Sequence, residues 1–195
     1  METGFEMETN APYSLNYLIF IQNIHLNRKN PDKENPLFPY VDSSAWGIVR
    51  EDFGQFYTEV WEEAVNKNSR DRLYDHYGVF DRDKALYQKL FENGEIGAFG
   101  YAESVKSFLA WWNGIYGRIA IEKVFDEYTM NEVYKELAAS LKVNKRLRID
   151  LTYDKPLLAG SAELSWYAVL PIEDIFMPYK VPEIVPRLLK CCEDF

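Results

Sequence analysis

The sequence predicts an α+β fold: a small antiparallel sheet of two or three strands packed against a mainly helical middle. Three observations carry this. Apolar residues recur at helical spacing through the middle of the chain, most completely over 53–65. Strict alternation over 145–153 is followed by a second alternating run at 163–170. No helix intervenes, which argues against a doubly wound sheet. A third β-rich run lies near the start, over 13–24.

Residues 1–12 read as a flexible acidic tail, and 13–195 as a single globular domain, within the soft prior of about 100–200 residues per domain. In the run 13–24, Leu15, Tyr17, Ile19 and Ile21 share one face and Leu18 and Phe20 the other, so it reads as a buried strand. Residues 25–42 carry Pro31, Pro36 and Pro39 and read as loop.

The run 53–65 places Phe53, Phe56, Tyr57, Val60, Trp61, Ala64 and Val65 on one side of a helix. Asp52 and Gln55 suit a capping box at its start. A turn or short helix covers 72–78, and a helix over 83–92 ends at Gly94. A glycine-rich linker then leads to a helix over 102–112 with Val105, Phe108, Leu109 and Trp112 as its stripe. Over 115–125 the pattern fits a continued or kinked helix bearing Ile115, Tyr116 and Ile119, or an alternating strand.

Thr129 and Glu132 suit a capping box for a helix over 129–141. The strand over 145–153 turns Leu147, Ile149, Leu151 and Tyr153 inward, and its expected antiparallel partner is 163–170. Pro182 opens a terminal helix to about Cys192.

Composition bounds the function classes. The net charge of −9 repels a phosphate backbone, so nucleic acid is an unlikely partner. The apolar run 17–21 is too short to span a membrane, and the first residues lack the pattern of a signal peptide. Cys191 and Cys192 are adjacent and suit reduced thiols in a cytoplasmic protein.

With only His25 and His76 in the chain, a histidine-rich zinc shell is excluded. His76 beside Asp75 is the main candidate acid or base, with a buried carboxylate as the other. Asp81, Asp83 and Glu92 imitate a calcium loop, but Leu86 stands where the turn needs glycine, so Asp81 or Asp83 reads as a helix cap. Gly94, Gly97 and Gly100 precede a helix, yet Glu95 and Glu103 oppose phosphate there. No cofactor is expected.

Glu59, Glu62 and Glu63 lie on one helix, and Glu122, Asp126 and Glu127 on another segment; both sets read as solvated faces. Asp150 and Glu163 suit a cross-strand salt bridge with Arg146 and Arg148 close by. Together with Lys142 and Lys145, these arginines form the one basic cluster.

The segment 93–125 holds half of the ten glycines, interleaved with aromatics. After its core stripe is assigned, Tyr101, Trp111 and Tyr116 remain. The resulting expectation is a soluble, non-catalytic, acidic protein that binds a protein with a basic surface, in the manner of an inhibitor or neutralising partner. Its contact residues are expected to be Tyr101, Trp111 and Tyr116, with Glu59, Glu62 and Glu63 as charge. The alternative is a small-molecule-binding enzyme with an aromatic pocket.

Overall fold

The computed structural model describes residues 4–31, 34–49, 51–124, 128–160 and 162–193. The fold is α+β. Its contacts gather into two compact units: Tyr13–Gly114 with Pro156–Gly160, and Met1–Pro12 with Ile115–Lys155 and Ser161–Phe195.

The second of these holds the sheet. Strands β1 (Glu6–Asn10), β2 (Arg146–Thr152), β3 (Glu163–Leu164) and β4 (Tyr167–Pro171) lie in the order β1-β2-β4-β3. The β1–β2 and β2–β4 pairs are parallel, and only β3–β4 is antiparallel. This corrects the expected antiparallel sheet of two or three strands.

The reason is local. The run 163–170 does not continue as one strand. It turns back at Ser165 and Trp166, with Trp166 at φ 58°. The Trp166 amide donates to the Cys191 carbonyl (2.8 Å), its carbonyl accepts from the Arg148 amide (3.0 Å), and Lys145 Nζ lies 5.1 Å from its ring centre. The chain therefore enters β4 in the direction of β2. All five β4 residues are buried, as expected of a strand covered on both faces.

Residues 6–10, expected within a tail, form β1. Thr9 stands opposite Ile149, and Phe5 stacks on Tyr134 with ring centres 5.7 Å apart. Glu6 pairs with Arg146 across the two strands. Helix α7 (Tyr128–Ser140) packs on α9 (Val181–Cys191), and α9 on β3 and β4; α6 (Arg118–Val124) packs on α8 (Ile172–Phe176). Thr129 lies inside α7 rather than capping it, and Glu132 pairs with Lys135 at 2.8 Å.

The expected salt bridge between strands is replaced by two separate contacts. Buried Asp150 accepts from the Tyr167 hydroxyl (2.6 Å), and Glu163 pairs with Arg187 (2.8 Å).

In the other unit the run 13–24 is helical, not a strand. It belongs to α1 (Tyr13–Lys29), whose residues 14 to 24 are all buried. A helix covered on every side has no apolar stripe, so its periodicity is lost. Its polar side chains are partnered: Asn68 Nδ2 donates to Ser14 Oγ (2.9 Å), Asn23 Nδ2 to the Phe38 carbonyl (2.9 Å), and the Leu158 amide to Gln22 Oε1 (3.1 Å). Asp75 caps the helix from a distant loop, taking hydrogen bonds from the Tyr13 and Ser14 amides, the latter at 2.8 Å.

Helix α2 (Phe53–Arg70) buries the predicted stripe except Phe56, which is half-buried. Asp52 adopts φ 57° and makes no side-chain cap, while Gln55 donates to Glu59. In place of the expected helix over 83–92 stand α4 (Lys84–Tyr87) and a 3-10 turn (Gln88–Leu90), preceded by α3 (Val79–Arg82). Asp83 caps neither helix with its side chain; it accepts from Tyr74 (2.6 Å) and Lys67 (2.9 Å).

Candidate functional site

The glycine-rich segment resolves into helix α5 (Glu95–Trp112), which starts seven residues earlier than expected. Gly97 and Gly100 are not linker residues. A Cβ on Gly97 would lie 1.7 Å from the Glu92 carbonyl oxygen, and one on Gly100 1.6 Å from that of Trp46. Only glycine permits backbones to approach this closely. With Tyr101, Ser104 and Phe108, these glycines form the buried face of α5. The first turns therefore turn the opposite face outward. Ile96 is 60% exposed and Phe99 54% exposed. Glu92 and Glu95 are exposed nearby, and half-exposed Glu103 pairs with Lys106 at 3.5 Å.

The expected contact residues separate. Tyr101 is buried at 5% exposure; its hydroxyl donates to the Phe80 carbonyl (2.6 Å), and burial raises its phenol above the ordinary range. Such a side chain offers little area to a partner. Trp111 is half-buried among Phe20, Phe38, Phe108 and Trp112. Tyr116 is 86% exposed, in the turn before α6 and in the sheet-bearing unit. Ile115 and Ile119, expected on an inward stripe, are exposed as well.

Glu59, Glu62 and Glu63 lie together and exposed on α2, opposite buried Tyr57, Val60, Trp61 and Ala64. Glu63 forms an i,i+4 pair with Lys67 at 3.6 Å. Glu122 pairs with Arg118 on α6, while Asp126 and Glu127 lie outside the described residues.

Ile96 and Phe99 were legible in principle. Starting the helical wheel at Glu95 instead of Ala102 puts Gly97, Gly100, Tyr101, Ser104 and Phe108 on one face. It leaves Ile96 and Phe99 on the other.

His76 is exposed, with its ring Nδ1 accepting from the Gly78 amide (3.0 Å) and its Nε2 3.2 Å from Arg82. It serves a local turn. His25 differs. It stacks flat on Phe53 with ring centres 3.9 Å apart, and burial with nearby Lys29 and Arg28 lowers its pKa to about 4.

Two concavities adjoin this end of α1. One, of about 320 Å3, is bounded by Asn27, Arg28, Tyr40, Ser43 and three prolines. The other, of about 220 Å3, is bounded by His25, Arg28, Lys29 and Ile48.

Cys191 and Cys192 are buried free thiols, pushed up to about 11 mainly by burial. Among the described residues, no helix is long and apolar enough to cross a membrane. Compared with known proteins, the chain matches no family model, no curated protein and no solved structure.

Proposed function

We propose that this chain is a non-catalytic binding protein that engages a protein partner with a basic surface, as an inhibitor or neutralising partner does. The observation that carries this reading is the outer face of α5. Ile96 and Phe99 are exposed one turn apart, with Glu92, Glu95 and Glu103 around them. Exposed apolar side chains within a charged rim have the composition of an interface centre, where a few large residues supply most of the affinity. The acids select a cationic partner and speed its approach. Glu59, Glu62 and Glu63 on α2 add to the same negative field.

On this reading the contact is the outer face of α5; Trp111, whose ring packs against four other aromatics, and buried Tyr101 have less area to offer. Tyr116 is a second, separate candidate contact. The alternative, an enzyme built on a general base, loses support because exposed His76 borders neither concavity.

Affinity capture from host extract tests the reading. The tagged protein is expected to retain a stoichiometric basic protein. The double variant Ile96→Ala/Phe99→Ala should release it, and Glu59→Gln/Glu62→Gln/Glu63→Gln should weaken it most at low salt. Equal retention by wild type and both variants would refute the assignment. Loss in Tyr116→Ala alone would move the contact to the turn before α6.

A further inference from the structure

We propose that the C-terminal turn of α1 forms a binding site for a small organic oxyanion, a carboxylate or phosphate ester carried on an apolar body. The inference is independent of the α5 surface and rests on other residues.

Arg28 is the centre of the site. It borders both concavities at this end of the helix. Its Nη1 is shielded from solvent and has no hydrogen-bond partner among the described residues. A guanidinium carries five donors, no acceptor and a permanent charge. A shielded donor of that kind is unfavourable when left alone. A small rotation of the guanidinium toward either concavity lets an oxyanion supply the missing acceptor, and the planar fork matches a carboxylate or phosphate at two points.

The surroundings agree in sign. The chain is strongly acidic overall, yet no carboxylate is among the described residues bounding either concavity. Lys29 adds a second cation on the same turn. The negative end of the helix dipole opposes an anion here, but it amounts to about half a charge against two full cations.

The walls are both apolar and fixed. On the larger side Ile24 and Pro39 are buried, and Pro31, Pro36 and Val41 form an exposed apolar rim. Asn27 clasps the facing loop at Leu37, donating to its carbonyl (2.6 Å) and accepting from its amide (2.8 Å). Asn23 holds the next carbonyl, that of Phe38. A wall tied at two successive residues loses little freedom when a ligand enters. Exposed Tyr40, whose hydroxyl donates to the Pro36 carbonyl at 3.4 Å, and buried Ser43 also border the larger concavity.

The experiment is a titration followed by two-dimensional NMR. Benzoate, phenyl phosphate and acetate are the probes, and the Arg28 side-chain Nε–H and the amides near His25 and Tyr40 are the reporters. Saturable shifts confined to these signals are expected with benzoate or phenyl phosphate, and the tighter of the two identifies the headgroup. Acetate should bind more weakly than benzoate. Arg28→Gln should lower the affinity about tenfold or more, the scale of a charge-assisted hydrogen bond. If that variant does not fold, Tyr40→Ala serves instead, because its side chain is exposed. It should weaken the aromatic probes more than acetate. The absence of saturable shifts in the wild type overturns the proposal, and so does undiminished binding in the variant used. Acetate binding as tightly as benzoate overturns the apolar body.

Discussion

Replacing Gly100 by alanine separates backbone packing from helix propensity. Alanine favours a helix interior over glycine by about 1 kcal/mol, so propensity alone predicts stabilisation. The new Cβ, however, would stand 1.6 Å from the Trp46 carbonyl oxygen, where real Cβ contacts keep to 3.0 Å or more. Residue 46 must therefore retreat by about 1.4 Å, the difference between those distances.

The extended segment 46–49 is fastened by two backbone hydrogen bonds. The Glu92 amide donates to the Gly47 carbonyl (2.7 Å) and the Val49 amide to the Leu90 carbonyl (3.1 Å), together forming the antiparallel Ile48–Phe91 bridge. Overpacking costs roughly 1–3 kcal/mol, and each of the two backbone hydrogen bonds placed at risk is worth about 1 kcal/mol. After the propensity gain, a net loss of about 2–4 kcal/mol is expected. With a urea dependence of roughly 2 kcal/mol per molar, the midpoint should fall by about 1–2 M.

Tryptophan fluorescence is a suitable monitor, because Trp46, Trp61, Trp111 and Trp112 all belong to the unit that contains α5. Gly54→Ala is the matched control: it lies in α2 with nothing within 4 Å of a new Cβ. It should be neutral or stabilise by up to about 1 kcal/mol. A Gly100→Ala protein as stable as the wild type, or a loss of equal size in Gly54→Ala, would refute the steric argument.

Three other perturbations follow from the same contacts. Asp75→Ala removes the acceptor of two amides at the start of buried α1 and should cost about 2–3 kcal/mol in urea unfolding, with Asp75→Asn intermediate. His25 titrates near 6.5 when unfolded and at about 4 when folded, so the unfolded chain binds the proton first. Its contribution is complete above that ordinary value and declines as pH falls toward 4. The urea midpoint should therefore drop between about pH 7 and about pH 5 in the wild type, and less in His25→Phe, which keeps the stack on Phe53. Cys191 and Cys192, held up to about 11 by burial, should react slowly with iodoacetamide near pH 8 and rapidly once unfolded.

Helices with one wet face were readable from local pattern. The stripe from Phe53 to Val65 marks α2 to its first residue, and Met130, Val133 and Leu137 mark α7 and are buried in it. Two kinds of element were not. Helix α1 is buried all round, and a continuous apolar run without an exposed face does not distinguish helix from strand. Strand β1 takes its shape from β2, whose Arg146 is 140 residues from Glu6, and no local signal encodes a partner that distant. The sheet direction turned on a two-residue reversal at Ser165 and Trp166, hidden inside a run that alternates well.

The outer face of α5 is hidden in the sequence for a related reason. Gly97 and Gly100 imply a break by propensity, yet they work as contact points within a helix. Trp111 and Tyr101, expected as contact residues, are packed or hydrogen-bonded by their neighbours.

The pairing of β1 with β2 has a consequence for synthesis. The first strand leaves the ribosome before its neighbour, which emerges only after the whole stretch Tyr13–Gly114 has been made. Those residues are contiguous apart from Pro156–Gly160, so they can begin to organise during translation while residues 6–10 wait with an open hydrogen-bonding edge. Glu6 and Glu8 keep that waiting segment charged and so discourage association between nascent chains. When β2 arrives, the same carboxylates become partners of Arg146. One set of side chains thus guards the strand before it pairs and helps set its register afterwards.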